Sequence, residues 1–148
     1  ALSLAFVLGS CDDSNPPAGG SEGRLEVQLE KWNGDGPLDY QFRFERICFC
    51  LASDTRPVIL EVRDGEIISA TDAESGDELN PESDAFLTVD DLFIEVREAM
   101  DRSADSLDVR YDSEFGFPAS VDIDFDRRIA DEEVSYRASD LVDLSDES

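Results

Sequence analysis

The chain has 148 residues, with 12 Lys+Arg against 37 Asp+Glu and no histidine, giving a formal net charge of −25. That length suits one domain with a short appendage, and the charge excludes general nucleic-acid binding, whose affinity comes from clustered cations. The lack of imidazole excludes His-based triads and His-ligated zinc, while 41% apolar residues separate the chain from a disordered acidic tail.

Residues 1–10, A-L-S-L-A-F-V-L-G-S, are uncharged. A bilayer span needs about 20 apolar residues, so the segment reads instead as the remnant of a secretory signal peptide. Leu8-Gly9-Ser10-Cys11 then has the form of a bacterial lipobox. Small residues let an extended backbone enter a signal peptidase, and the Cys11 thiol is the atom that receives the lipid. The alternative is a strand ending at an ordinary cysteine. Residues 11–23, C-D-D-S-N-P-P-A-G-G-S-E-G, read as the lipidated cysteine and a flexible linker with an r.m.s. reach of about 20 Å. The expected location is the extracytoplasmic side of a bacterial cell envelope, with the domain tethered to the membrane through lipid on Cys11.

The domain proper is expected over 24–140, with 141–148 an acidic tail in which Leu141, Val142 and Leu144 could dock. Leu25, Leu29 and Trp32 recur at helical spacing, and Gly34 and Gly36-Pro37 are expected to stop that helix. Tyr40, Phe42 and Phe44 alternate with polar residues, as in a half-buried strand. The alternation is expected to slip at Arg46-Ile47, where a bulge would reset it. A second strand covers 58–62, Asp64-Gly65 is a hairpin turn signal, and Ile67-Ile68 begin a third strand. Residues 71–85 hold six acids and no base, which reads as a solvated loop.

Thr88 is a good N-cap with Asp91 three residues on, and Val89, Leu92, Phe93, Val96, Ala99 and Met100 share one helical face. Strand-like runs follow at 107–111, 119–125 and 133–138. Helix, three strands, helix, three strands predicts an α+β fold: an antiparallel sheet of about six strands with two helices on one face. The order also suggests a duplicated helix-plus-three-strand unit.

Two constellations could carry chemistry. In Cys48-Phe49-Cys50, strand geometry puts both thiols on one face, and a local kink would bring them to bonding distance. An oxidising compartment favours a Cys48–Cys50 disulfide, and acylation of Cys11 would leave no odd thiol. Buried thiols, a redox-active pair and a metal contact are the alternatives. Asp122, Asp124, Asp126 and Glu133 occupy positions 1, 3, 5 and 12 of a calcium-loop spacing. Arg127 stands where such a loop needs Gly, and an entering helix is missing. A solvated strand face is the plainer reading, with weak Ca²⁺ binding the alternative.

The ordered set Y-x-F (Tyr40, Phe42), C-F-C (Cys48, Cys50), T-V-D-x-L-F (Thr88 to Phe93), V-x-Y-D (Val109 to Asp112), F-G-F-P (Phe115 to Pro118) and A-D-E-E resembles a family of small bacterial lipoproteins that share a domain of unknown function. The resemblance covers roughly residues 38–138. It implies envelope localisation and the Cys-Phe-Cys feature, and no activity. The family's usual turn is Y-G-Y-P; Phe115 and Phe117 keep the rings without the phenol oxygens. The function expected from all this is non-catalytic binding or scaffolding by a monomer, with a cationic or envelope protein as partner. Calcium binding and thiol redox chemistry at the Cys-Phe-Cys pair are the alternatives.

Overall fold

The structure, a computed structural model, describes residues 20–50, 52–129 and 132–146. Cys11, with the signal remnant and most of the linker, lies outside the described residues. In chain order the elements are α1 (Gly20–Asp35), β1 (Tyr40–Cys48), α2 (Ala52–Thr55), β2 (Val58–Arg63), β3 (Glu66–Asp72), β4 (Glu78–Leu79), α3 (Val89–Asp101), β5 (Ser106–Tyr111), β6 (Pro118–Asp124) and β7 (Glu133–Asp143). The strands form one seven-stranded antiparallel sheet in the order β4-β3-β2-β1-β7-β6-β5. The fold is α+β, with α1 and α3 packed over the core-facing side of the sheet. Helix-then-meander occurs twice in chain order. The repetition is of order only, because β1 and β5 point in opposite directions.

Alternation in the sequence becomes burial. Tyr40, Phe42 and Phe44 of β1, Val58, Leu60 and Val62 of β2, Val121 and Ile123 of β6, and Tyr136 and Ala138 of β7 face inward and are buried. Leu25 and Trp32 of α1 and Val89, Leu92, Phe93, Val96 and Ala99 of α3 close the same core. Burying side chains of this size is worth about 1.5–3 kcal/mol each before entropy is counted, so this layer supplies the main driving force.

Local chemistry sets the boundaries. Thr88 and Asp91 form a reciprocal capping box: Asp91 N–H donates to Thr88 Oγ1 at 3.1 Å, and Thr88 N–H donates to Asp91 Oδ2 at 3.0 Å. Asp64 and Gly65 both take positive φ in the β2–β3 hairpin, the conformation a tight two-residue hairpin turn requires.

Four expectations are corrected. Helix α1 runs through Gly34 to Asp35, so Gly34 does not stop it and Gly36-Pro37 does, the Gly36 N–H donating to the Trp32 carbonyl at 2.8 Å; it also starts at Gly20, inside the segment read as linker. The strand alternation does not slip at Arg46. Pairing with β7 continues unbroken through Arg46↔Tyr136, Ile47↔Ser135 and Cys48↔Val134, and the bulge lies near the other end, where Asp140 and Leu141 of β7 stand against Phe42. Asp140 takes positive φ there, as an extra residue in a bulged strand can.

A seventh strand, β4, lies inside the acidic 71–85 segment, Leu79 pairing with Ala70. The Asp72 carboxylate organises the turn that brings it back, accepting from Glu74 and Ser75 N–H and from Arg56. Finally, β7 runs past Ala138 to Asp143 and pairs with the start of β1, so 141–143 are strand. Leu144 then docks, 8% exposed, its N–H on the Asp39 carbonyl at 2.8 Å.

Candidate functional site

Unbroken alternation in β1 has a chemical consequence. Tyr40, Phe42 and Phe44 occupy inward positions, and the next inward position is Arg46. A guanidinium must therefore enter the edge of an apolar layer. Its stem packs beside the core while its head lies over the Tyr136 ring, 5.5 Å from the centroid, a favourable stacking of cation on π-face. Arg46 Nε is buried without a hydrogen-bond partner among the described residues. A buried donor left unmet costs about 1–3 kcal/mol.

An acid and a phenol stand behind it. Tyr136 Oη donates to Glu95 Oε2 of α3 at 3.4 Å. Burial, then the Glu95 charge, pushes the Tyr136 phenol up to about 12. Burial, and then neighbouring Glu98, raises the Glu95 carboxyl, against the pull of Tyr136 and Arg46.

The strand ends at Cys48, and the backbone bends through Phe49 and Cys50. That bend brings the two sulfurs together across a Cα separation of 5.3 Å, within the range a disulfide spans. Phe49, between them, is turned out and is 75% exposed. Arg102, just past α3, sets its guanidinium 4.0 Å from the Phe125 ring centroid. Arg46, the Cys48–Cys50 turn, Phe49, Arg102, Phe125, Glu132 and Glu133 line one open groove of about 360 Å³. Among the described residues, neither Arg46 nor Arg102 forms an ion pair, although the chain has 37 acids for 12 bases.

The sequence had pointed to Cys48 and Cys50 here. Arg46, Arg102, Phe125 and Tyr136 went unnoticed as site residues. For Arg46 the signal was present: an arginine at an inward position of an alternating strand.

The acidic constellation lies on the helix-free face of the sheet. Asp122 and Asp124 alternate with inward Val121 and Ile123, and Glu133 opposes Asp124 across the ladder. Asp122 accepts from Ser135 Oγ at 2.6 Å and Arg137 Nη2 at 2.9 Å. Partial burial alone would raise its carboxyl, but those two partners outweigh it and hold the group below the usual carboxylate range. Asp126 lies beyond the strand end and is engaged by Arg128 at 2.8 Å. Asp122, Asp124 and Glu133 line a shallow depression of about 260 Å³ with Arg127. Among the described residues, no three His, Cys, Asp or Glu side chains are grouped to hold a metal ion. The spacing that matches a calcium loop is here a β6–β7 connection, so its acids spread along a ladder instead of wrapping a point. Asp124 Oδ1 is buried without a hydrogen-bond partner among the described residues.

The F-G-F-P turn serves packing. Gly116 takes φ +84° against α1, and a Cβ there would meet the Gln28 carbonyl at 2.9 Å. Phe117 is 4% exposed and meets Trp32 edge-on, centroids 6.2 Å apart.

Comparison with known proteins gives one match: residues 24–143 fit the Family of unknown function (DUF6174), and the chain belongs to that family. Neither a curated protein nor a solved structure matches it.

Proposed function

With membership of a family of unknown function as the premise, we propose that this chain is a lipid-anchored, extracytoplasmic bacterial domain that binds a ligand without turning it over, and that the groove at the Cys48–Cys50 turn is its binding site. The observation that carries the binding reading is the pair of arginines lining that groove, outside ion pairs among the described residues, Arg46 with its Nε buried and unmet by any of them. Guanidinium groups held on aromatic faces hold a ligand in place; they do not by themselves make a nucleophile. The anchoring reading rests on Leu8-Gly9-Ser10-Cys11 and the polar segment after it. A partly oxidising envelope also suits a Cys48–Cys50 disulfide that holds Phe49 at the groove's mouth.

The anchor is tested by expressing the chain with an export signal in a bacterium and fractionating the cells. The domain is expected in the membrane fraction, with a diacylglycerol-modified Cys11 in the N-terminal peptide by mass spectrometry, and Cys11→Ser is expected to release it to the soluble fraction. Unmodified Cys11, or membrane association untouched by Cys11→Ser, overturns the anchoring.

A second reading is supported by one atom. The buried Asp124 Oδ1, unpartnered among the described residues and opposite Glu133, suits a weakly held cation on the open sheet face, with Asp122 beside it. Millimolar Ca²⁺, against a Mg²⁺ control, is expected to raise the melting temperature of the parent chain and not of Asp124→Asn. An equal response in both proteins excludes the site.

A further inference from the structure

We infer that the groove takes a small ligand with a flat apolar body and a single carboxylate or sulfonate, the anion held by Arg46 and Arg102 and the body seated against Phe49 and Phe125. The inference rests on the binding reading above and names its ligand class.

Four observations converge. Arg46 and Arg102 line the same groove of about 360 Å³, one from the inward face of β1 and one from the end of α3. Among the described residues both stay outside ion pairs, in a chain with three times as many acids as bases. In a chain so acidic, two arginines in one groove concentrate positive charge locally, set against Glu95 behind Arg46 and Glu132 and Glu133 in the lining. Arg46 Nε is buried and lacks an acceptor among the described residues; a carboxylate is the acceptor that meets a guanidinium edge with two parallel bonds. Phe49 is 75% exposed yet lies between two joined cysteines. That short closed loop fixes the backbone that carries the ring at the mouth, so a flat ligand meets an exposed ring whose main chain is already placed.

The remaining lining residues set the selectivity. Glu132 and Glu133 also line the groove. Their charges oppose a second anionic group, which limits the ligand to one and disfavours polyanions such as nucleotides or phosphoinositides.

The test uses the full chain and two probes of matched shape, 2-naphthoate and neutral 2-naphthalenemethanol, titrated calorimetrically and followed by NMR of the aromatic side chains. Naphthoate is expected to bind one to one, moving the Phe49, Phe125 and Tyr136 resonances, with the neutral probe at least tenfold weaker. Arg102→Gln, an exposed position where folding is not at risk, is expected to weaken naphthoate tenfold or more and leave the neutral probe within twofold. Arg46→Met is expected to act in the same direction. Phe49→Ser weakens both probes together, and Glu132→Gln combined with Glu133→Gln strengthens naphthoate alone.

Equal binding of the two probes, with both still lost in Phe49→Ser, overturns the anion assignment while leaving the groove as a binding site. Naphthoate binding unchanged by Arg102→Gln in a folded protein overturns the assignment too. Failure of both probes to bind at millimolar concentration, or binding that Phe49→Ser does not touch, overturns both the inference and the reading of the groove as a site.

Discussion

The Tyr40 hydroxyl, on the first residue of β1, accepts the backbone N–H of Val89, the first residue of α3, at 3.0 Å across 49 positions of sequence. A helix starts with backbone donors that have no partner inside it; Thr88 supplies one acceptor and the sheet supplies another. Burial, opposed by the Val89 bond, pushes the Tyr40 phenol well above its ordinary value, so it stays a neutral phenol. Trp32 adds a second tie, its Nε1 donating to Asp90 Oδ1 at 2.9 Å. The first turn of α3 is thus fixed to both β1 and α1.

Tyr40→Phe keeps the ring, which is 3% exposed, and removes only the acceptor. The Val89 N–H is then buried without a partner, and the expected loss is about 1–3 kcal/mol, read as a lower urea midpoint at unchanged m-value. An unchanged midpoint would show that Val89 finds another acceptor.

Gly116 and Gly34 make a matched pair. Alanine at 116 faces the Gln28 carbonyl at 2.9 Å from a φ of +84°, whereas alanine at 34 meets nothing within 4 Å. Gly34 lies within α1, where alanine is favoured over glycine by about 0.5–1 kcal/mol. Gly34→Ala is expected to raise the melting temperature and Gly116→Ala to lower it by several degrees. Equal effects would mean that the 113–117 turn does not press on α1.

Glu95 provides a pH test. Its folded-state carboxyl is raised above the ordinary value, chiefly by burial. A carboxyl raised on folding contributes stability below its unfolded pKa, about 4.3, and that contribution is lost as pH rises through the folded value. At pH 7 the charged group therefore weakens the fold. Glu95→Gln is expected to melt a few degrees higher than the parent at pH 7, with the gap closing as pH falls toward 4. Partial exposure keeps the shift small. A gap that widens on acidification would reverse the sign assigned to this site.

Reduction should act locally. Thiol counting on the unfolded chain is expected to find Cys48 and Cys50 only after reductant. Closing so short a loop restricts the unfolded state by only about 1.5 kcal/mol in the chain-entropy model, so the reduced domain should stay folded, with a melting temperature a few degrees lower. Free thiols without reductant would remove the clamp on Phe49.

Much of the fold was legible because its determinants are local. Thr88 with Asp91, Asp64-Gly65 and the Tyr40-Phe42-Phe44 alternation each act within a few residues, and each formed the element its chemistry favours. β4 was not legible: two residues carry no periodicity, and they pair only because Asp72 turns the chain back toward β3. The last strand was cut short for a related reason. Residues 139–143 look polar and frayed, and become strand only where a bulge at Asp140 lets them continue against β1.

The same division holds for the site. By itself the sequence determined the acidity, the lipobox-like Cys11, the Cys48-Phe49-Cys50 signature and the helix-and-meander order, since these depend on residue type and short spacing. Tertiary structure alone decided that Arg46 keeps the inward register, that Arg102 arrives beside it from the end of α3, and that Asp122, Asp124 and Glu133 lie along a ladder. Spacing along a chain says nothing of which distant element closes over it. Burial and cross-strand register do, and they turned an apparent slip in β1 into the arginine at the centre of the groove.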